Sequence, residues 1–166
     1  RPQNISTFIN FFNVQFPQNW KYELYGAGQE FESLSKFSKD NININDYLPR
    51  EHLEEKVKDI PYALICLDYE ITIEGFPGKT FDYLNMNKIL INFSNPNSAV
   101  SKLIDKYELG FNIDLKKPEK LETTLQQMKN LKKVNQILKN ISDFQQNISN
   151  KEIVSTKYSS LIRSSS

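Results

Sequence analysis

Residues 62–93 read YALICLDYEITIEGFPGKTFDYLNMNKILINF, and this stretch decides the fold. It opens with an unbroken apolar run, YALICL, which is typical of a strand buried in a parallel sheet. A loop follows over Asp68–Gly78, and the next residues predict a helix over Lys79–Met86 and a second strand over Lys88–Phe93. A strand, a crossover helix and a second strand make up the repeating unit of a parallel α/β sheet.

The same alternation continues on both sides of this stretch. The other predicted strands are Trp20–Tyr25, Asn41–Ile44 and Phe111–Leu115, and the other predicted helices are Asn4–Phe16, Gln29–Phe37, Pro49–Asp59 and Ser98–Tyr107. The pattern from Pro118 to Arg163 is helical, with breaks near Asn130 and Asn150. We therefore predict an α/β fold, a Rossmann-like parallel sheet with helices on both faces and a helical C-terminal tail. Residues 1–130 would form the Rossmann-like domain, and residues 131–166 a helical extension of it.

The composition indicates a globular chain of about one domain. Its 166 residues are 39% hydrophobic and 25% charged, which is not the balance of a disordered sequence. The net charge is +1, so nothing indicates a nucleic-acid partner. A single cysteine, Cys66, and a single histidine, His52, exclude an internal disulfide and the usual Cys/His zinc site, and we expect no metal. We expect Cys66 to be a small buried hydrophobe and His52 to be exposed.

The sequence shows neither a secretory signal nor an apolar run long enough to span a membrane. We therefore expect a cytoplasmic location. The lysines at 129, 132, 133 and 139 predict a solvated helix face, and the alternative for them is peripheral association with anionic lipid at the inner face of the cell membrane.

Two glycines, Gly26 and Gly28, lie between a predicted strand and a predicted helix. Glycines in this place let the backbone approach a phosphate at a helix N-terminus. The full dinucleotide-binding fingerprint needs another glycine where Phe31 stands, so a tight turn explains the pair equally well. A P-loop is excluded because Gly78-Lys79-Thr80 resembles only its tail, and Ile73 stands where the earlier glycine is required.

The loop after YALICL carries the strongest candidate site. Gly78 and Lys79 stand where this loop opens a predicted helix, so free N–H groups from Gly78 to Phe81 and the lysine charge would suit a diphosphate. Glu74 and Asp82 are eight positions apart, and two carboxylates in one cleft are suited to bind sugar or ribose hydroxyls. The alternative is a solvated Lys79–Asp82 pair beside glycines that only shape the turn.

A family resemblance favours the first interpretation. Residues 74–115, EGFPGKTFDYLNMNKILINFSNPNSAVSKLIDKYELGFNIDL, resemble the nucleotide-sugar half of GT-B glycosyltransferases, most of all the retaining bacterial polysaccharide enzymes. Those enzymes carry a Glu-x7-Glu motif, a strand of the type "pil" or "pvi" and a later glycine, and Glu74, Asp82, KILINF and Gly110 stand in the corresponding places. The earlier segments WKYELYGAG and NININDYLPREHLEEKVKDIPYALICL resemble the family's order of strand, GxG, helix, strand, proline, helix and strand.

The resemblance implies a role for each matching residue. Glu74 would hold the transferred sugar, and Asp82 would bind the nucleotide ribose. Lys79 and the glycine-rich turns would bind the diphosphate, and Tyr47 and Leu48 would lie near the base. The turn residues in this set are Gly26, Gly28, Gly75, Phe76, Pro77, Gly78 and Thr80. The expected catalytic residues are Lys79, which would stabilise the leaving diphosphate, and Glu74, which would orient the sugar.

The resemblance also implies substrates and partners. The donor would be a nucleoside-diphosphate sugar, with a UDP-sugar preferred, and no further cofactor is expected. The acceptor would be a glycan or lipid-linked acceptor of a bacterial surface polysaccharide, bound through a missing N-terminal domain. Two features depart from the family: Asp82 replaces the second glutamate, and the usual Arg and Lys are missing because the sequence is expected to start after the first strand of this half.

Two other functions stay open. The chain could be a non-catalytic α/β regulatory or assembly module, which would bind no nucleoside diphosphate. It could also belong to a GT-B-like sugar-nucleotide epimerase, which would share the donor half and convert the free sugar nucleotide without an acceptor.

Overall fold

The structure, a computed structural model, describes residues 5–70 and 75–149. Helices and strands alternate along it, and every pairing between strands is parallel. The strands are β1 (Tyr22–Gly26), β2 (Ile42–Asp46), β3 (Tyr62–Cys66), β4 (Ile89–Phe93) and β5 (Gly110–Ile113). The helices are α1 (Ile5–Gln15), α2 (Gln29–Leu34), α3 (Arg50–Lys56), α4 (Lys79–Asn85), α5 (Ala99–Tyr107), α6 (Leu121–Lys129) and α7 (Leu131–Ser149), with short 3-10 turns at Ser35–Phe37 and Pro118–Lys120.

The chain divides into two compact units, with the boundary between Asp59 and Ile60. The first unit holds a two-stranded sheet, β1-β2, and the second holds a three-stranded sheet in the order β3-β4-β5. Parallel strands flanked by helices, with a helical C-terminal region, confirm the predicted α/β class. The division predicted at residue 130 stays a prediction, and the helical pattern predicted for residues 150–163 lies outside the described residues.

In the first unit, aromatic side chains join helix α1 to the sheet. Phe8 and Phe12 are buried, and their rings lie 5.0 Å and 5.9 Å from the ring of Tyr22 on β1. Phe16 stacks on Phe12 at 4.8 Å and contacts Trp20 at 5.8 Å. Aromatic pairs in these tilted and offset arrangements contribute packing energy beyond the area that they bury. These phenylalanines therefore form the packing face of α1.

Polar side chains form a network on β1 and β2. The Glu23 carboxylate accepts hydrogen bonds from the Asn43 amide at 2.5 Å and the Asn45 amide at 3.0 Å. The Tyr25 hydroxyl also donates to it, at 3.4 Å. All of these residues are half-buried, so the sheet of the first unit carries a partly exposed polar network where strands of a parallel sheet usually bury apolar side chains.

In the second unit, β4 is the fully buried strand. All five of its residues are buried because it pairs with β3 on one side and β5 on the other. The run YALICL, expected to be the clearest buried strand, is buried only from Ile65 onward, and Tyr62, Ala63 and Leu64 are half-buried. The reason is its place in the sheet: in the part of the chain that the structure describes, β3 pairs with β4 alone.

A buried polar network joins β4 to α5. The Asn92 side-chain amide donates to Ser94 Oγ and Ser101 Oγ, each at 2.9 Å, and to Asn112 Oδ1 at 2.8 Å. Ser98 caps the helix, since its hydroxyl accepts the Ser101 backbone N–H at 3.2 Å. Within the described ranges, Asn92 Oδ1 has no hydrogen-bond partner although the residue is buried. The network therefore fixes the start of α5 relative to the carboxyl end of β4.

The C-terminal helix α7 packs on the second unit. Ile137, Ile141 and Phe144 are buried along it, and the Phe144 ring lies 5.0 Å from the ring of Tyr107. At the surface, Lys133 Nζ lies 3.0 Å from a carboxylate oxygen of Glu108, the residue that ends α5 in a left-handed conformation. Across residues 5–70 and 75–149, no helix is long and apolar enough to cross a membrane.

Candidate functional site

The candidate site lies where the chain leaves the carboxyl end of β3 and enters α4. In open parallel sheets, ligands bind beyond the carboxyl ends of the strands. Gly75 and Gly78 are exposed there, and Phe76 and Pro77 are half-buried. The Phe76 ring packs edge-on against Phe81 of α4 at 5.5 Å, so the turn is held against its own helix.

The backbone at the start of α4 is already hydrogen-bonded at one position where the sequence predicts a free N–H group. Gly78 already has helical dihedrals, φ −51° and ψ −36°, and the Thr80 backbone N–H donates to the Pro77 carbonyl at 2.9 Å. The expectation of free N–H groups throughout Gly78–Phe81 is therefore wrong for Thr80, because the turn closes on itself before the helix begins. Among the residues that the structure describes, a Cβ atom at Gly78 would meet nothing within 4 Å, so their atoms leave the backbone open to a ligand at this point.

Lys79 supplies the positive charge of the site. Lys79 is exposed overall, but partial desolvation lowers the pKa of its ammonium below the ordinary value, and the neighbouring Cys66 opposes this shift. Cys66, the last residue of β3, is buried, as expected. A partly desolvated cation interacts more strongly with an anion than a fully hydrated one does.

Asp82 lies three residues after Lys79, in the first turn of α4, and is half-buried. Residues three apart on a helix are neighbours on its surface, so the carboxylate and the ammonium share one side of the helix. Thr80 lies between these two residues in the sequence and is fully buried. Its hydroxyl has no hydrogen-bond partner in the part of the chain that is described. Burial raises the pKa of the next residue, Tyr83, above its ordinary value, and the charge of Asp82 adds to the rise.

Glu74, the predicted sugar-binding carboxylate, lies outside the described residues. The structure describes the other predicted residues of this loop, and they lie close together in the chain around the start of α4. They are Gly75, Phe76, Pro77, Gly78, Lys79, Thr80 and Asp82.

The remaining predicted residues belong to the first unit. Gly28 has φ +101°, a conformation that favours glycine, and a Cβ at Gly26 would lie 2.9 Å from the ring of Phe31. The turn itself therefore favours glycine at both positions, whether or not a phosphate binds there. Tyr47 is 66% exposed and Leu48 is half-buried in the loop after β2.

Three residues beside the site were not singled out as part of it in the sequence. Tyr69, Asn95 and Lys116 lie in the loops after β3, β4 and β5, and both Asn95 and Lys116 contact Tyr69. A sequence signal existed, because each follows the end of a predicted strand by a few positions, and strand ends of a parallel sheet meet at one edge. Their pairing could not be read from the sequence because it joins three separate loops.

The described residues contain no group of three or more His, Cys, Asp or Glu side chains arranged to hold a metal ion. Comparison with known proteins adds no relative: no family model matches the chain, and no curated protein or solved structure is significantly similar to it.

Proposed function

We propose that this chain is the donor-binding domain of a glycosyltransferase and binds a nucleoside-diphosphate sugar at the loop between β3 and α4. The observation that carries the proposal is the position of Lys79 and Asp82, one turn apart at the start of α4, the helix that follows strand β3 of a parallel sheet. A cation and a carboxylate at this edge suit the diphosphate and the ribose of one ligand.

The proposed chemistry is electrostatic. Transfer of the sugar leaves negative charge on the diphosphate, and the Lys79 ammonium, partly withdrawn from water, would stabilise that charge as it develops. Asp82 would accept hydrogen bonds from the ribose hydroxyls and fix the orientation of the nucleotide. The open backbone at Gly78 leaves room for the diphosphate oxygens. By the family resemblance, Glu74 would orient the transferred sugar.

The donor is proposed to be a UDP-sugar, and the acceptor a hydroxyl of a glycan or lipid-linked saccharide in bacterial surface polysaccharide synthesis. The acceptor would be bound through a further domain. In this arrangement the domain works in the cytoplasm, with peripheral contact to the inner face of the membrane.

Binding of UDP to Lys79→Ala tests the assignment. Isothermal titration of the 166-residue chain should show affinity for UDP that falls at least about tenfold in this variant, since a charge-assisted hydrogen bond is worth roughly 1.5–3 kcal/mol. Lys102→Ala is the matched control, because Lys102 is an exposed lysine of α5 in the same unit. Equal UDP affinity of Lys79→Ala and wild type would remove Lys79 from the site.

A further inference from the structure

Helix α4 ends in a tight backbone motif that contains a left-handed residue. Asn87 has φ +56°, and its N–H donates to the Leu84 carbonyl at 2.9 Å. The next N–H, that of Lys88, donates to the Tyr83 carbonyl at 2.9 Å. These two hydrogen bonds define the Schellman motif, in which the left-handed position is usually glycine and sometimes asparagine. The end of α4 therefore relies on a conformation that is less favourable for asparagine than for glycine.

A side chain of α7 supports this motif. The Gln145 side-chain amide donates to the Leu84 carbonyl and, at 3.2 Å, to the side-chain oxygen of Asn87. Both acceptors belong to the Schellman motif, so one carboxamide holds its backbone and its left-handed residue together. Gln145 is half-buried, whereas its neighbour Gln146 is exposed.

The core of the second unit fixes the place of Gln145. Ile141 and Phe144, which precede it on α7, are both buried. The Phe144 ring also lies 5.0 Å from the ring of Tyr107, at an interplanar angle of 64°. Because close packing leaves this part of α7 little freedom, the Gln145 amide reaches α4 with little further ordering.

The end of α4 is directly connected to Asp82. The helix has seven residues, Lys79–Asn85, and the Asp82 carbonyl accepts the N–H of Met86, the residue that caps the helix, at 3.1 Å. A helix this short is marginal by itself. Loss of the motif would therefore release the hydrogen bond of Met86 and, with it, the backbone of Asp82.

We propose that Gln145 is a positioning residue for the donor site, a role that rests on the proposed function. By holding the last turn of α4, it keeps the Asp82 carboxylate in the place where the proposed ribose contact is made. The nucleotide then binds to a helix that is already formed, so binding does not have to supply the free energy of ordering it.

The test measures UDP affinity by isothermal titration, at a temperature where circular dichroism shows each variant to be folded. Gln145→Glu keeps the size of the side chain and removes the amide donor, whereas Gln145→Lys retains a donor, which suits carbonyls at a helix C-terminus. Gln146→Glu adds the same negative charge one position along α7 and is the matched control. We expect Gln145→Glu to weaken UDP binding about threefold to tenfold, the fold-change that corresponds to one hydrogen bond. Gln145→Lys and Gln146→Glu should stay close to wild type.

A double-mutant cycle separates positioning from a general loss of structure. Asp82→Asn weakens the proposed ribose contact but keeps a side chain that forms hydrogen bonds, so UDP binding remains measurable. If Gln145 acts through Asp82, adding Gln145→Glu to Asp82→Asn should weaken UDP binding by less than about twofold. A purely structural role predicts the same loss in both backgrounds.

The outcomes separate this inference from the proposed function. If wild type binds UDP and Gln145→Glu binds it equally well, the positioning role is wrong while the donor site stands. The role is also wrong if Gln146→Glu or Gln145→Lys loses as much affinity as Gln145→Glu, or if the loss persists in full beside Asp82→Asn. If wild type binds no nucleoside diphosphate, the proposed function itself fails and the inference falls with it.

Discussion

The two sheets of the molecule are both parallel, yet they differ in how deeply their strands are buried. Every residue of β1 is half-buried, whereas every residue of β4 is buried. The difference follows from position, since β4 has a strand on each side and β1 is paired, among the described residues, with β2 alone. Helix α4, which carries Lys79 and Asp82, therefore belongs to the unit with the more deeply buried sheet, and the turn of Gly26 and Gly28 belongs to the unit with the less buried one.

The largest effect should come from removing the same side chain in each sheet. Leu90 of β4 is fully buried and Leu24 of β1 is half-buried. We expect Leu90→Ala to lower the free energy of unfolding by about 3–5 kcal/mol, because it leaves a cavity, and Leu24→Ala by about 1–2 kcal/mol. Urea denaturation of both variants measures this. Equal losses would show that the contrast in burial between the sheets has no energetic counterpart.

Glycines in the two sheets give the second contrast. A Cβ at Gly110 would lie 1.9 Å from the Leu90 carbonyl oxygen, which is backbone, whereas a Cβ at Gly26 would lie 2.9 Å from the Phe31 ring, which is a side chain. We expect Gly110→Ala to cost about 2–3 kcal/mol and Gly26→Ala about 1 kcal/mol. Thermal unfolding of the pair gives the ranking, and the reverse order would contradict the close approach of β5 to β4.

The polar networks of the two sheets give the third contrast. Asn92→Ala would leave the side-chain oxygen of Asn112 and two serine hydroxyls of a buried network without their amide donor. We expect it to lower the free energy of unfolding by about 1–3 kcal/mol. Glu23→Gln keeps the shape of a half-buried network that water can reach, and we expect less than about 1 kcal/mol. Chemical denaturation measures both. A larger loss for Glu23→Gln would show that the network of the first unit is the more important one.

These contrasts also show what the sequence could predict. Periodicity located each helix and strand to within a few residues, because α1 and α5 have apolar faces at helical spacing, and Pro17, Pro49 and Ser98 stand at helix ends. It did not distinguish the burial of β3 from that of β4: YALIC is entirely apolar and ILINF nearly so, and only the strand order shows that, among the described residues, β3 is an outer strand and β4 a central one.

The candidate site was predictable in part. The place of Lys79 and Asp82 at the start of α4 follows from a loop, a glycine and a helical pattern in succession. The contact of Lys116 with Tyr69 could not be predicted, because it depends on the register of three strands. The hydrogen bond from the Thr80 backbone N–H to the Pro77 carbonyl could not be predicted either. It depends on the backbone dihedral angles of Gly78, which the sequence does not determine.

The smallest effect concerns pH. Because burial lowers the pKa of Lys79, the ammonium loses its proton at a lower pH than an ordinary lysine, whose pKa is about 10.4. UDP binding needs the charged form, so affinity should be retained at low pH and decline as pH rises through this lowered pKa. In Lys79→Arg the charge persists throughout, and the decline should disappear. UDP titrations from neutral to alkaline pH measure it, and identical profiles would exclude Lys79 as the titrating group.

The most direct test of the donor site is a ligand-observed NMR titration of the 166-residue chain with UDP, GDP and CDP, with FMN for comparison. The account predicts saturable binding of at least one nucleoside diphosphate, which the same unlabelled nucleotide displaces and which Asp82→Ala weakens. It predicts no competition from FMN, which lacks a diphosphate. A chain that is folded and shows no saturable response to any of the three nucleoside diphosphates would contradict the donor-binding function.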